Sequence, residues 1–270
     1  MDKIIERLMK NDSKLKELNV YNIKDAVVKK ITESLKVNKT LLVLIFEYCD
    51  IGNSGINAIV NTLKVNKTLQ KIVFDSDHIG HIRTFEFVEV LKINKTLKSL
   101  TISCNNINEA DAFELAEILK VNTTLLELDL ESNNIKDLGT CVISNALKVN
   151  ITLQILTLWD NDIGDSGARG IAEMLKVNKT LQKLNIRGNN IGDEGIFEIA
   201  DALKVNKTLL VLELGCNNIE ESGINELVKA LKINTTLQEI DLWGHIIRSI
   251  KRKEICDALK VNTALYRFDL

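Results

Sequence analysis

The chain has 270 residues, of which 45% are hydrophobic, 27% are charged and none is proline. Its formal net charge of −2 favours neither a nucleic acid nor a membrane surface as a partner. Charged residues interrupt the first apolar run, so we expect no secretory signal peptide there. No uncharged stretch approaches the roughly 18 residues that span a bilayer. We therefore expect neither nucleic acid nor membrane among the partners.

The first 40 residues are predicted to form an N-terminal capping unit that covers one end of the core. Apolar residues at helical spacing predict a short amphipathic helix, and alternating apolar residues predict a strand-like segment after it. The helical set is Ile4, Ile5, Leu8 and Met9, and the alternating set is Leu15, Leu18 and Val20.

A phrase whose fullest form is Leu-Lys-Val-Asn-Lys-Thr-Leu then recurs every 28 residues, without insertion or deletion. Self-similarity at a fixed period is the signature of a solenoid, in which each unit stacks on its neighbours. The phrase begins at Leu35, Leu63, Leu91, Leu119, Leu147, Leu175, Leu203, Leu231 and Leu259.

A strand pattern and then a helix pattern follow each phrase. From Leu181 to Ile191 the chain reads L-x-x-L-x-L-x-x-N-x-I, with period two, and the apolar spacing changes to three and four towards Leu203. Strand and helix repeated without reversal give parallel strands. This unit resembles the leucine-rich repeat, and its 28-residue length resembles the ribonuclease-inhibitor subclass. The resemblance implies a right-handed α/β solenoid, or horseshoe, with parallel strands on the concave face and helices on the convex face.

Residues 41–270 are expected to hold eight complete repeats and a ninth strand, in one solenoid domain with the capping unit. One leucine from each coil should lie in a single buried line. Because the sequence stops at Leu270 inside the ninth strand, without a visible C-terminal cap, we expect an unpaired strand edge and weak self-association there. The buried line comprises Leu100, Leu128, Leu156, Leu184 and Leu212.

Asparagines recur at two turns of the repeat. The first kind follows the strand, where a buried amide can bond turn backbone groups of its own and of the adjacent coil. Its members are Asn105, Asn133, Asn161, Asn189 and Asn217, and Cys49, Asp77 and His245 depart from the pattern. We expect Asp77 and His245 to disturb the ladder. The asparagine inside the phrase suits a left-handed helix C-cap, so its Asn-x-Thr sequons are interpreted as structural turns rather than glycosylation sites.

Charged residues are predicted at both rims of the solenoid. Lys36 and its eight equivalents form a row at one rim, and acidic residues such as Asp165 and Glu194 gather at the other. We interpret both rows as complements to helix dipoles on a solvated surface, in preference to a basic edge for RNA or a membrane. A solvated helix face is also the interpretation for the cluster of Arg248, Lys251, Arg252 and Lys253.

No residue pattern predicts catalysis or metal binding. The five cysteines lie in different repeats, and Cys104 and Cys216 would be about 19 Å apart, too far for a disulfide. This favours a reducing, cytoplasmic compartment, or the cytosol of a host cell. His78 and His81, beside two aspartates, are interpreted as part of a polar turn rather than a metal site. We therefore expect no enzymatic activity, no cofactor and no metal.

The concave face is defined by the third, fifth, seventh and eighth positions of the strand pattern. It carries ten acidic and four basic residues, a net charge of −6. The acids are Glu47, Asp75, Glu127, Asp129, Glu131, Asp160, Glu213, Glu239, Asp241 and Asp269, and the bases are Lys71, Lys183, Arg187 and Arg267.

Both tryptophans, Trp159 and Trp243, stand at the seventh position, three repeats apart and therefore separated by about 14 Å. We expect a shallow trough between their rings, with Arg187 on its floor and negative charge around it. Outward tryptophans are candidate hot spots, and a basic or aromatic side chain of a partner would anchor there. The candidate protein-binding residues are Trp159, Trp243, Arg187, Glu131, Asp129, Asp160, Glu213 and Asp241.

The sequence thus favours a non-enzymatic protein-interaction module that binds a basic or mixed-charge protein through its concave face, as the resemblance implies. One alternative is a GTPase regulator similar to the Ran GTPase-activating protein, which is built from similar repeats. Another is the repeat region of a larger sensor, or a host-directed effector protein.

Overall fold

The computed structural model describes residues 1–76, 84–245 and 262–269, with all side chains in these ranges except those of residues 84–88. The strands are β1 Glu17–Tyr21, β2 Val43–Glu47, β3 Lys71–Asp75, β4 Ser99–Ser103, β5 Glu127–Asp129, β6 Ile155–Thr157, β7 Lys183–Asn185, β8 Val211–Glu213, β9 Glu239–Asp241 and β10 Arg267–Asp269. The helices are α1 Asp2–Met9, α2 Asp25–Leu35, α3 Asn53–Val65, α4 Thr84–Ile93, α5 Glu109–Leu119, α6 Lys136–Leu147, α7 Asp165–Leu175, α8 Asp193–Val205 and α9 Glu221–Ile233.

The ten strands form one open parallel sheet in strict chain order, which confirms the predicted α/β solenoid. Partners lie 28 residues apart in every pair from β2 onward, as in Leu128↔Leu156, and 26 apart between β1 and β2. The predicted leucine line is confirmed, since Leu100, Leu128, Leu156, Leu184 and Leu212 are all at most 1% exposed. Helices are about 10 Å wide whereas strands are about 4.8 Å apart, so the stack curves with the sheet inside.

The core lies between the sheet and the helices and is almost entirely aliphatic. Its main aromatic element is a stacked pair, Phe46 on Phe74, with ring centroids 5.5 Å apart. At the N-terminal end, Leu8, Leu18 and Val20 are buried, as the pattern of the capping unit predicts, but Met9 is exposed.

The asparagine of the phrase is not left-handed, so the predicted C-cap conformation is wrong. Asn206 has an extended backbone, with φ −67° and ψ 136°. These asparagines act through buried side chains instead, as at Asn178, where Oδ1 accepts hydrogen bonds from the backbone N–H of Thr180 (2.9 Å) and Leu181 (2.8 Å). Its Nδ2 donates to the carbonyl of Leu147, the last residue of α6, at 2.7 Å. The same donation to the helix end of the previous coil, 30 or 31 residues earlier, occurs at Asn38, Asn66, Asn94, Asn122, Asn150, Asn206, Asn234 and Asn262.

Burial of these asparagines also bears on whether the Asn-x-Thr sequons are structural turns or glycosylation sites. All eight asparagines in Asn-x-Thr are buried, so the amide that glycosylation requires is committed to the turn. The structural interpretation of the sequons is therefore confirmed for the folded chain. The eight are Asn38, Asn66, Asn94, Asn122, Asn150, Asn178, Asn206 and Asn234.

The asparagines after the strands form the predicted second ladder. Asn161 donates from Nδ2 to the carbonyl of Leu130 in the preceding coil at 2.8 Å, and its own backbone N–H donates to Oδ1 of Asn189 at 3.0 Å. His245 was expected to disturb this ladder, but it continues it. Its Nε2 accepts from the N–H of Asn217 at 3.2 Å, and Nδ1 lies 2.7 Å from the Leu242 carbonyl, which fits the tautomer protonated at Nδ1.

An aspartate at the start of one helix caps the next. Oδ1 of Asp165 accepts from the N–H of Gly192 (2.7 Å) and of Gly195 (2.9 Å), both at the N-terminus of α8. Gly195 allows this approach, because a Cβ there would lie 2.7 Å from the same oxygen. At the opposite rim, the lysine that ends a helix pairs with an acid three residues earlier, as in Lys176 with Glu173 at 2.8 Å. Both findings agree with the interpretation of the charged rims as complements to the helix ends.

Several predictions concern residues outside the described ranges. They involve Asp77, His78, His81, Arg248, Lys251, Arg252, Lys253, Cys256, Leu259 and Leu270.

Candidate functional site

The two tryptophans are exposed on the concave face, where the sequence pattern places them. Trp159 follows β6 with 39% of its surface exposed, and Trp243 follows β9 with 57% exposed. Both occupy the seventh position of the strand pattern, directly after a buried leucine, Leu158 or Leu242. The alternation of the strand therefore turns the indoles away from the core.

Arg187 occupies the space between the tryptophans. Its guanidinium carbon lies 5.7 Å from the ring centroid of Trp159 and 5.7 Å from that of Trp243. Twice that distance is the largest separation that the two centroids can have, so the expected spacing of about 14 Å is wrong. Arg187 does not floor an open trough. It fills the gap with a double cation–π contact, which draws the indoles towards one another.

Two glycines make this packing possible. A Cβ on Gly188 would lie 2.6 Å from Nε1 of Trp159, and one on Gly215 would lie 3.2 Å from Nε of Arg187. Gly188 also has a left-handed backbone, with φ +61°. The indole of Trp159 thus packs closely against Gly188, and the side chain of Arg187 against Gly215, each a glycine of the following coil.

Asp241 forms an ion pair with Arg187. Nε of Arg187 lies 3.3 Å from Oδ2 of Asp241. Both atoms are buried, but the N–H does not point at the oxygen, so the contact is an ion pair without a directed hydrogen bond. The other oxygen of Asp241 accepts from the backbone N–H of Trp243 at 2.9 Å. One carboxylate therefore links Arg187 to the turn that carries Trp243.

An open depression of about 600 Å³ lies beside Trp243. Two acids of its lining pair with bases on neighbouring strands, Glu213 with Lys183 at 2.5 Å and Glu239 with Arg267 at 3.5 Å. The charge around the tryptophans is consequently mixed. The negative charge on all sides that the sequence predicted is not what the structure shows. The lining also includes Arg187, Val211, Ile240, Asp241, Phe268 and Asp269.

Acids outnumber bases in the middle of the concave face, where Lys71 lies 3.9 Å from Glu127. Burial raises the pKa of Asp129 and the carboxylates of Glu127 and Asp75 raise it further, whereas a hydrogen bond from the Glu131 backbone and the charge of Lys71 lower it. Burial likewise raises the pKa of Glu131, with additional contributions from the charges of Asp129, Asp75 and Asp160. The predicted site residues thus form two groups, an acidic centre around Asp129 and Glu131 and a tryptophan–arginine cluster of Trp159, Arg187 and Trp243. The two groups meet where Asp160 follows Trp159.

Sequence reasoning missed a second exposed aromatic pair on this face. Tyr21 and Tyr48 are 63% and 57% exposed, and their ring centroids lie 5.5 Å apart at an interplanar angle of 53°. They stand at the seventh and eighth positions of the first two strand patterns. Both positions face outward in the strand pattern, so an aromatic residue at either one was the sequence signal that could have revealed this pair.

Two further properties hold for the part of the chain that the structure describes. No group of three or more histidine, cysteine, aspartate and glutamate side chains is arranged to hold a metal ion within these ranges. Among the described helices, none is both long and apolar enough to cross a bilayer.

Comparison with known protein families agrees with the geometry. A model of the Leucine Rich repeat matches residues 37–60, 94–116, 121–139 and 149–172. A model of the TMOD/LMOD Leucine-rich domain matches residues 169–270. Both models describe leucine-rich repeats, so the chain is built from repeats of this kind.

Solved structures and curated sequences were also compared. The chain is similar to the structure described as "Leiomodin-1 Actin-Binding Site 2 (ABS2)", with 27% identity over 57% of this chain and 88% of that chain, and a TM-score of 0.49. It is also similar to a tropomodulin C-terminal domain from Caenorhabditis elegans, with 15% identity over 76% of this chain and 92% of that chain, and a TM-score of 0.37. Among curated proteins, the search found no match.

Proposed function

We propose that the chain is a non-enzymatic module that binds a protein partner of basic or mixed charge through its concave face. The observation that carries this proposal is the pair of exposed tryptophans held by Arg187 at the edge of an open depression. Tryptophan and arginine are enriched in binding hot spots, and solenoid proteins use their concave surface for binding.

The packing supports a preorganised site. Arg187 limits the orientations of both indoles, so less conformational freedom is lost when a partner covers them. The anchoring side chain of the partner enters the depression beside Trp243, since the gap between the rings is already filled. Pairing of Glu213 and Asp241 with bases leaves Asp129, Glu131 and Asp160 to attract basic groups and accelerate association.

Replacement of the tryptophans tests this proposal. Trp159→Ala and Trp243→Ala should each weaken binding of proteins captured by the parent chain by about 2 kcal/mol or more. Phe197→Ala is the matched control, because Phe197 is an exposed aromatic residue on the convex helix α8. Partners whose affinity, measured by surface plasmon resonance, is the same for both tryptophan variants and the parent would contradict binding at this site.

Three further expectations join this proposal. We place the repeats in the ribonuclease-inhibitor subclass on the 28-residue period. We place the protein in a cytoplasmic compartment, and the thiols of Cys104, Cys141 and Cys216, which form no disulfide within the described residues, support this. Weak self-association along the edge of β10 stays a prediction.

A further inference from the structure

The concave face carries aromatic residues at two places with acids between them. Tyr21 ends β1 and Tyr48 follows β2, the acidic centre lies along β3 to β5, and Trp159 follows β6. From Tyr48 to Trp159 there are four strand spacings, about 19 Å across the sheet. The three features therefore lie in one line that runs perpendicular to the strands.

Tyr48 adopts a backbone conformation that its side chain does not favour. Its φ is +52°, in the left-handed region where bulky residues are rare. Every described eighth position from the capping unit to β9 is left-handed, and the others carry small or polar residues: Asn22, Ser76, Cys104, Ser132, Asp160, Gly188, Cys216 and Gly244. Folding alone does not require an aromatic side chain there, because Tyr48 is 57% exposed.

Between the aromatic groups the floor of the face is low and acidic. The concave side chains of β4 are small and buried, namely Ser99, Thr101 and Ser103. Asp75 and Asp129 flank Ser103 and Thr101 on the neighbouring strands, and Lys71 pairs with Glu127 at 3.9 Å from the two strands on either side of Ser99. A low floor whose walls carry more acids than bases accommodates a single chain whose own side chains carry positive charge.

We propose that this face binds one extended, basic polypeptide segment that crosses it from the Tyr21–Tyr48 pair to Trp159, with a large apolar or aromatic residue anchored at each end. The inference rests on the proposed function and specifies its partner. An extended chain advances about 3.3 Å per residue, so about six residues separate the two anchors. Basic residues in that separator face the acidic centre.

Synthetic peptides test the spacing. The probes are dye-labelled peptides with a tryptophan at each end and a lysine–glycine separator of about six residues, half that length or twice that length. Fluorescence anisotropy should give at least tenfold tighter binding for the matched length, and binding should weaken as salt rises. Equal affinities for the three lengths, or no binding of any peptide at about 1 mM, would overturn the proposal.

A tyrosine variant separates this inference from the proposed function. Tyr48→Gly removes the ring at a left-handed position that glycine tolerates, so the variant should remain folded by circular dichroism. It should bind the matched peptide at least tenfold more weakly. Asn22→Gly is the control, with the same backbone conformation and no aromatic ring. If Tyr48→Gly binds the matched peptide as tightly as the parent, the crossing path is wrong, whereas binding at Trp159 and Trp243 would still stand.

Discussion

The guanidinium carbon of Arg187 lies 5.7 Å from the ring centroid of Trp243, although the two residues are two repeats apart. Glycine occupies the intervening seventh position, where a Cβ of Gly215 would be 3.2 Å from Nε of Arg187 and 2.8 Å from Oδ2 of Asp241. Arg187 therefore reaches across β8 because that strand is followed by a residue without a side chain. The orientation of Trp243 depends on a residue two coils away.

Removal of Arg187 should loosen both tryptophans. Arg187→Ala loses two cation–π contacts of about 0.5–1 kcal/mol each, so the free energy of unfolding should fall by about 1–2 kcal/mol. The chain has only these two tryptophans, so its indole fluorescence reports on this cluster alone. Acrylamide should quench that fluorescence more strongly in the variant than in the parent.

Arg169, on the convex helix α7, provides the control for this prediction. It lies 3.7 Å from Glu198, and its side chain is 63% exposed, against 30% for Arg187. Arg169→Ala should leave the quenching of both indoles at the parent value. Identical quenching in Arg187→Ala and the parent would show that the arginine does not hold the rings in solution.

The buried asparagine ladder predicts a large loss of stability when one member is truncated. Asn178→Ala leaves the backbone N–H groups of Thr180 and Leu181 and the carbonyl of Leu147 without their side-chain partner. Unpaired buried groups cost about 1–3 kcal/mol each, and partial access of water reduces the sum, so we expect a loss of about 2–5 kcal/mol in urea unfolding. Lys179→Ala, at the exposed neighbouring position, should change the free energy by less than about 0.5 kcal/mol. Equal unfolding curves for the two variants would contradict a structural role of the amide.

Truncation of the leucine line tests the register of the repeats. Leu156 is 1% exposed and pairs with Leu128 and Leu184 on the adjacent strands. Leu156→Ala should lower the free energy of unfolding by about 2–5 kcal/mol, because neighbouring coils hold the cavity open. Thr157→Ala, on the concave side of the same strand, should have a much smaller effect. A loss below about 1 kcal/mol for Leu156→Ala would mean that this leucine is not part of a closely packed core.

The fold was predictable because each of its determinants repeats. The 28-residue period placed Leu128, Leu156 and Leu184 in register, and the change from period two to spacings of three and four separated strand from helix. The conformation of the phrase asparagine was not predictable from residue preference, since Asn206 is extended and acts through its side chain. Preference for the left-handed region describes isolated caps, whereas here the adjacent coil supplies a carbonyl at the right distance.

The candidate site was predictable in its residues but not in its arrangement. Position in the strand pattern showed that Trp159, Arg187 and Trp243 face outward, but strand spacing gives the separation of α-carbons and not of long side chains. Those side chains lean over Gly188 and Gly215, which brings them together. Pairing of acids with bases across strands likewise depends on rotamers, so a count of charges overstated the negative potential around the tryptophans.

The acidic centre should destabilise the fold at neutral pH. Burial and neighbouring carboxylates raise the pKa of Asp129 above its ordinary value of 3.8, so the folded chain holds this proton more tightly than the unfolded chain. The stabilisation from this group is therefore fully present below the unfolded pKa and is lost as the pH rises through the folded pKa.

Asp129→Asn removes the charge but keeps Oδ1, which accepts the hydrogen bond from the backbone N–H of Glu131 at 3.1 Å. The variant should therefore be more stable than the parent in urea unfolding at about pH 7, and the difference should shrink towards zero below the unfolded pKa of about 3.8. Subtracting the parent at each pH cancels the titration of other groups, such as Asp12, whose pKa is lowered by its hydrogen bond with Arg7. Glu17→Gln, at an exposed concave position of β1, should show no such pH-dependent gain. A variant less stable than the parent at about pH 7 would mean that the Asp129 carboxylate is stabilised, and that the centre of the concave face is less crowded with negative charge than its geometry indicates.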